Sequence, residues 1–100
     1  MGAFEKGLLK SLCKMILENR KSPVYSEQEF KDFLMMFDLE ILRKITAIYY
    51  LGNAYQTFEE AMQDISERSY DFTKESCIRK ITDVTIDALE YHYNGGLNLL

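Results

Sequence analysis

Apolar residues recur at spacings of three and four residues along most of the chain, and they almost never alternate with the two-residue period of a β-strand. Five segments show the helical period, at about 3–19, 26–37, 39–51, 57–69 and 73–94. The connections between them are short, which suits neighbouring helices that pack antiparallel. The pattern therefore predicts an all-α fold in which residues 1–100 form a single helical domain, a compact bundle of about five amphipathic helices.

Residues typical of helix ends separate these segments. Ser26 and Thr57 are each followed three residues later by a glutamate, which is the pattern of a capping box. Asp38 is a good N-cap for the third helix, but it alone separates that helix from the second, so one kinked helix remains an alternative. The other boundaries are assigned to Pro23, to Gly52 and Asn53, to Asp71 or Thr73, and to Asn94, Gly95 and Gly96.

Each helix has an apolar side that we expect to be buried. In the first helix this side is formed by Phe4, Leu8, Leu12, Met15 and Ile16. In the fifth and longest helix the expected inward residues are Cys77, Ile78, Ile81, Val84, Thr85, Ala88, Leu89 and His92. The leucines at the end of the sequence are expected to fold back on the core, because exposed apolar side chains gain nothing in water.

The middle and the end of the chain resemble a family of short bacterial helical domains of unknown function. The resemblance lies in the turn Tyr50-Leu51-Gly52-Asn53, in the helix with Glu59-Glu60-Ala61, and in the ending Tyr91-His92-Tyr93-Asn94-Gly95-Gly96-Leu97. It covers a little over half of the chain, and its motifs are mostly helix caps. Asn53 stands where the family tends to have arginine, and Phe58 stands near an expected tryptophan. The resemblance implies a small all-α fold and no known activity.

Charge is distributed unevenly along the sequence. The first 21 residues hold five basic and two acidic residues, a net charge of +3, whereas the remaining 79 residues have a net charge of −7. Lys6, Lys10 and Lys14 lie four residues apart and form one ridge, nearly opposite the side that carries Phe4. Acidic ridges have the same helical spacing at Glu60, Asp64 and Glu67 and at Asp83, Asp87 and Glu90. These ridges are interpreted either as solvated faces or as surfaces that dock on one another, within one chain or between two copies.

The sequence offers little chemistry. It contains no P-loop, no dinucleotide-binding fingerprint and no nucleophile elbow, and its one histidine, His92, is remote in sequence from both cysteines. We therefore expect no enzyme, no cofactor and no metal. Cys13 and Cys77 are interpreted as buried thiols in a reducing compartment, with a disulfide or an oxidative sensor as alternatives. No apolar run approaches the roughly 20 residues that span a bilayer, and no signal peptide is recognised, so we expect a cytoplasmic protein.

The remaining features favour a protein–protein interaction or regulatory module that binds a protein partner or a second copy of itself. The side chains predicted to carry the contact are Lys6, Lys10, Lys14, Tyr50, Tyr91 and Tyr93. The alternative is a small nucleic-acid-binding regulator that uses the second and third helices as a helix-turn-helix. The sequence pI of about 5.0 and the presence of only Arg43 and Lys44 as basic residues on the would-be recognition helix disfavour it. Contact with a membrane surface is also disfavoured, since the first helix offers few lysines and one aromatic residue.

Overall fold

The computed structural model describes all residues, 1–100, and confirms an all-α bundle, with six helices rather than five. The break that separates the last two helices lies inside the segment that was predicted to be one long helix. A single 3₁₀ turn, Ser69–Asp71, joins the fourth helix to the fifth. The helices are α1 (Ala3–Lys21), α2 (Glu27–Met35), α3 (Leu39–Tyr50), α4 (Phe58–Glu67), α5 (Lys74–Thr82) and α6 (Ile86–Asn98).

Most of the predicted helix starts are confirmed by their capping hydrogen bonds. The side chain of Ser26 accepts from the backbone N–H of Glu29, and the side chain of Thr57 accepts from that of Glu60, at 3.3 and 3.1 Å. Asp38 caps α3 in the same way, and α2 ends before it, so the second and third helices are separate. Of the two candidates for the start of α5, Thr73 is the cap.

Helix α3 lies at the centre of the bundle. It packs against α1, α4, α5 and α6, while α1 also packs against α6, and α2 packs against α5. Five residues of α3 are buried, including Thr46, whose hydroxyl donates to the carbonyl oxygen of Leu42 at 2.7 Å. All six helices contribute to one core of 20 buried apolar residues. The connection after α3 turns at Gly52, whose φ of 92° lies in the left-handed region that favours glycine.

The predicted fifth helix is divided between Thr82 and Ile86. Thr85 was expected to face the core, but it is the N-cap of α6, and its hydroxyl accepts from the backbone N–H of Ala88 at 3.1 Å. The carbonyl groups freed by the break are bound by Arg20 of α1. Its guanidinium donates to the carbonyl oxygens of Ile81, Thr82 and Val84 at 3.2, 3.5 and 2.9 Å. The cap at Thr85 is a local signal of this break, whereas the contacts from Arg20 come from more than 60 positions away in the sequence and are not visible in local patterns.

The predicted end of the last helix is also wrong, because α6 continues through Asn94, Gly95 and Gly96 to Asn98. Gly96 is buried against α3, and a Cβ atom built on it would lie 2.0 Å from the carbonyl oxygen of Ile48. This glycine permits the close approach of two helices instead of ending one. Beyond it, Leu97 and Leu100 pack against the core as expected, whereas Leu99 remains half exposed.

Helix α1 buries a different side from the one predicted. Its buried residues are Leu9, Cys13, Ile16 and Leu17. Of the residues expected inside, Ile16 is buried and Leu12 is partly buried, but Phe4, Leu8 and Met15 are exposed. The periodicity was compatible with either side, and packing against α3 and α6 decides which one is covered.

None of the six helices combines the length and the apolar character that crossing a bilayer requires.

Candidate functional site

An apolar stripe runs along the solvent side of α1. Phe4, Leu8 and Met15 are 87%, 41% and 47% exposed, and Ser11 lies between them. At about 100° per residue, positions 4, 8, 11 and 15 share one side of the helix. We call these four residues the α1 outer face. Because α1 also buries Leu9 and its neighbours, this one helix has two apolar sides, one packed on the core and one in water.

Exposed apolar residues that occur singly are ordinary on protein surfaces, whereas several on one element mark a contact surface. Tyr70 is a single residue of the first kind, exposed on the 3₁₀ turn, and the adjacent Met35 and Met36 form a smaller exposed pair at the end of α2. The α1 outer face is of the second kind. A signal for it was present in the sequence, since the apolar residues of the first helix extend around more than half of its circumference, too far for a single buried side.

A cleft of about 400 Å³ continues this face at the end of α1. Its apolar lining residues are Met15 of α1 and Val24 and Tyr25 of the loop to α2. The other five lining residues are polar: Glu18, Asn19, Ser22, Ser26 and Glu29. Val24 is almost fully exposed, and the ring of Tyr25 packs on that of Phe30 with centroids 5.7 Å apart. We call this cavity the α1–α2 cleft. It places a mostly polar depression on the same side of α1 as Phe4, three helical turns further along.

The predicted lysine ridge lies on a different flank of α1. Lys6, Lys10 and Lys14 are exposed, and none of them forms an ion pair. Lys10 and Lys14 line a second cleft, of about 320 Å³, between α1 and α6. The one ion pair that joins these two helices is between Lys21 and Glu90. The ridge is thus free to attract acidic groups of another molecule.

The predicted acidic ridges are largely engaged within the chain or interrupted. Asp83 ends α5 while Asp87 and Glu90 belong to α6, so the break divides that ridge. On α4, the guanidinium of Arg68 donates to Asp64 at 2.7 Å, and together with a hydrogen bond from Tyr55 it lowers the pKa of that carboxyl. Within one chain, the only ion pair between these acidic ridges and α1 is the one between Glu90 and Lys21.

The three predicted tyrosines differ in exposure. Tyr91 is 74% exposed and Tyr50 is partly buried, but Tyr93 is fully buried, so it cannot contact a partner from this position. Side chains two residues apart on a helix point about 200° away from each other. When Tyr93 faces the core, Tyr91 therefore faces the solvent. Burial raises the pKa of Tyr93 well above its ordinary value, and its hydroxyl has no hydrogen-bond partner.

In the predicted helix-turn-helix pair, α2 and α3, the second helix is not exposed in the way that a DNA-reading helix has to be. Helix α3 is enclosed by four other helices, and its basic side chains are bound within the chain. Arg43 donates to the carbonyl oxygens of Phe72 and Ser69 at 2.9 and 3.3 Å. Lys44 pairs with Glu5 and Glu40, and the hydrogen bond that it donates to Glu5 is the main reason that the pKa of this lysine is raised. Neither residue is free to contact the edge of a base.

His92 lies in a wide cleft beside the turn after α3. Its ring packs at a tilt of 53° against Tyr49 with centroids 4.7 Å apart, and its Nδ1 accepts from the side-chain amide of Asn53 at 2.5 Å. The cleft walls contain no serine, threonine, cysteine or carboxylate that the imidazole could activate or pair with. Both cysteines are buried and free, and no group of three or more potential ligand side chains lies close enough to hold a metal ion.

Comparison with protein-family models, with curated proteins and with solved structures finds no match to this chain. The resemblance to short bacterial helical domains therefore stays a prediction.

Proposed function

We propose that this chain is a protein–protein interaction module that binds its partner through the α1 outer face. The exposure of Phe4, on a helix that already buries another apolar side, carries the proposal. Covering one such side chain on association contributes about 1.5–3 kcal/mol. A phenyl ring is also among the larger apolar groups that interfaces select.

The spacing of the face indicates the shape of the partner. Positions 4, 8, 11 and 15 alternate steps of four and three residues, which is the spacing of a coiled-coil seam. Such a seam is one side chain wide, and its complement is another amphipathic helix rather than a sheet edge or an extended peptide. The proposed partner therefore presents a helix with its own apolar stripe.

The lysine ridge has a secondary role in this proposal. Lys6, Lys10 and Lys14 are free of intrachain partners and would attract an acidic surface over a distance of about 10 Å at moderate salt. Exposed ion pairs contribute only about 0.2–1 kcal/mol each, so the ridge orients an approaching partner more than it holds one. Tyr91 is the predicted tyrosine with the exposure to add a contact on α6.

We further propose that the module acts in the cytoplasm. The two free, buried thiols support this location, because reducing compartments keep cysteines unpaired.

The test is affinity capture from cells that express the chain, with three forms of the protein as bait. Phe4→Glu places a charge on the α1 outer face, and Tyr70→Glu is the matched control, since Tyr70 is a similarly exposed aromatic residue on another element. The proposal predicts a protein, the chain itself included, that the wild type and Tyr70→Glu retain and Phe4→Glu loses. Identical captured proteins for all three baits would contradict it.

A further inference from the structure

We infer that the cleft beside His92 is a binding site for an uncharged saccharide, in which one sugar ring packs on Tyr91 and side-chain amides bind its hydroxyl groups. We call this cavity the α6 cleft. It lies between the turn after α3, which contributes Asn53, and α6, which contributes Tyr91, His92, Asn94, Gly95 and Asn98. It shares no residue with the α1 outer face, so the inference is independent of the proposed function.

The α6 cleft has a volume of about 470 Å³, and none of its nine lining residues is ionic. Aspartate, glutamate, lysine and arginine make up 28% of the chain, and both the α1–α2 cleft and the cleft between α1 and α6 contain them. A phosphate, carboxylate or ammonium group of a ligand would have no partner of opposite charge here. The lining therefore fits an uncharged ligand.

Three asparagine side chains supply polar groups to the cleft. Asn94 and Asn98 are one turn apart on α6, so they share a side of the helix, and both are exposed with no hydrogen-bond partner within the chain. Asn53 donates through its amide nitrogen to Nδ1 of His92, so its amide oxygen remains an acceptor. Each amide group both donates and accepts, as each hydroxyl group of a sugar does. Two neighbouring hydroxyl groups can therefore bind to one amide, one as donor and one as acceptor.

An aromatic ring and an open stretch of helix complete the cleft. Tyr91 is 74% exposed, and its ring contacts that of His92 edge to face, with centroids 5.3 Å apart. Gly95 lies one turn further along the same side of α6, and a Cβ atom there would meet nothing within 4 Å. A sugar ring has faces of C–H groups and a rim of hydroxyl groups. One face can pack on the phenol ring while the rim reaches Asn98 across Gly95.

Contacts within the chain hold the walls of the cleft in place. Gly52 turns the backbone after α3 with a φ of 92°, and its N–H donates to the carbonyl oxygen of Tyr55 at 2.8 Å. His92 packs against Tyr49 of α3 and accepts from Asn53, which ties the turn to α6. A site that is already ordered loses less conformational entropy when a ligand binds.

The shape of the cleft favours a sugar over a nucleobase. A nucleobase has two flat faces to cover, whereas the cleft offers the exposed face of one ring, that of Tyr91. A nucleotide would also bring a phosphate group, for which the cleft has no cation, towards a chain of net charge −4. A sugar can leave its remaining hydroxyl groups in water, so a wide cleft costs it little. Adenosine, a base without a phosphate, is the alternative that the test includes.

The test is an NMR titration of the isotope-labelled full chain with four uncharged disaccharides and, separately, with adenosine. The disaccharides are cellobiose, maltose, lactose and N,N′-diacetylchitobiose. At least one of them should shift the backbone amide signals of positions 52–53 and 91–98 in a saturable way, with a dissociation constant on the order of 1 mM. A titration to about 50 mM covers this range.

Two pairs of variants connect the binding to the cleft. Tyr91→Ala removes the aromatic ring, and Tyr70→Ala is its control, since Tyr70 is 75% exposed on another element. Gly95→Leu fills the space above α6, and Gly7→Leu is its control, because Gly7 also lies inside a helix with nothing within 4 Å of a Cβ atom. Tyr91→Ala and Gly95→Leu should raise the dissociation constant by about 10-fold or more, and the two controls should leave it unchanged.

The same variants separate a loss of binding from a loss of fold. All four positions are exposed, and leucine favours a helix more than glycine does. We therefore expect Gly95→Leu to bind more weakly while its unfolding midpoint in urea stays the same or rises.

Unchanged amide signals with all four disaccharides would overturn the saccharide site, and so would shifts with adenosine alone. Shifts that lie outside the α6 cleft, or binding that Tyr91→Ala and Gly95→Leu leave intact, would overturn this cleft as its location. The function proposed for the α1 outer face is tested separately by affinity capture, with variants that leave the α6 cleft unchanged.

Discussion

Gly96 of α6 lies against the carbonyl group of Ile48 in α3, so close that a Cβ atom at position 96 would be 2.0 Å from the oxygen. The neighbouring Gly95 is also inside α6, but a Cβ atom there would meet nothing within 4 Å. The two adjacent glycines therefore have different physical roles, and only one of them sets the distance between the helices.

This difference gives the first prediction. Gly96→Ala forces α6 away from the central helix, and we expect the free energy of unfolding to fall by about 3 kcal/mol. Gly95→Ala removes a flexible residue from a helix without a clash, and we expect a gain of about 0.5–1 kcal/mol. Urea unfolding of the two variants checks both values, and a similar effect of the two substitutions would contradict the packing described here.

The second prediction concerns Arg20, which binds the carbonyl oxygens at the break between α5 and α6. Arg20→Met keeps an apolar stem but leaves those carbonyl groups without their donor, and we expect a loss of about 2–3 kcal/mol. Arg79→Met is the control, because Arg79 is exposed and makes no side-chain hydrogen bond or ion pair, and it should change stability by less than about 0.5 kcal/mol. Hydrogen exchange should also become faster at the amides around the break in Arg20→Met alone.

The third prediction concerns the buried hydroxyl of Tyr93, which has no hydrogen-bond partner. An unsatisfied buried polar group is costly, so Tyr93→Phe should raise the free energy of unfolding by about 1 kcal/mol. Tyr91→Phe changes an exposed ring and should have almost no effect on stability. Destabilisation by Tyr93→Phe in thermal or urea unfolding would show that the hydroxyl has a partner after all.

The fourth prediction concerns alkaline pH. Burial raises the pKa of Cys13 from its ordinary value of 9.0 to about 12. Between these two pKa values the Cys13 thiol loses its proton in the unfolded chain and keeps it in the folded chain. The free energy of unfolding therefore falls as the pH rises from about 9 towards 12. The expected slope is up to about 1.4 kcal/mol per pH unit for this one group.

Burial also raises the pKa values of Cys77 and Tyr93, and both act in the same direction. Urea unfolding at pH 8, 9 and 10 measures how steeply the free energy of unfolding falls with pH. Cys13→Ala should reduce this slope by up to the contribution of one proton, about 1.4 kcal/mol per pH unit. Equal slopes for the wild type and Cys13→Ala would mean that Cys13 titrates normally in the folded protein.

Local patterns predicted the helices and their starts, because the groups involved are close in sequence. Ser26, Asp38 and Thr57 each accept from an N–H three residues ahead, and such contacts are visible in the residue order. The break before Ile86 differs from the prediction although Thr85 offers the same local cap, because the apolar period continues across it; the support from Arg20 comes from another helix and is not visible in the sequence. Gly96 was assigned to a helix end because a sequence does not show that a second helix passes close to it.

The candidate surface was predicted only in part, for a related reason. The lysine ridge was found, since charged residues at helical spacing are exposed in almost any fold. Phe4, Leu8 and Met15 were assigned to the core because apolar periodicity indicates which residues share a side, but not which side is covered. That choice is made by contacts with α3 and α6, which form only in the folded chain.

The most direct test of the central claim is affinity capture from cells that express the chain, with the wild type, Phe4→Glu and the control Tyr70→Glu as baits. We expect a protein that the wild type and Tyr70→Glu retain and that Phe4→Glu loses. Identical captured proteins for all three baits, or none for the wild type, would contradict the claim that the α1 outer face binds a partner.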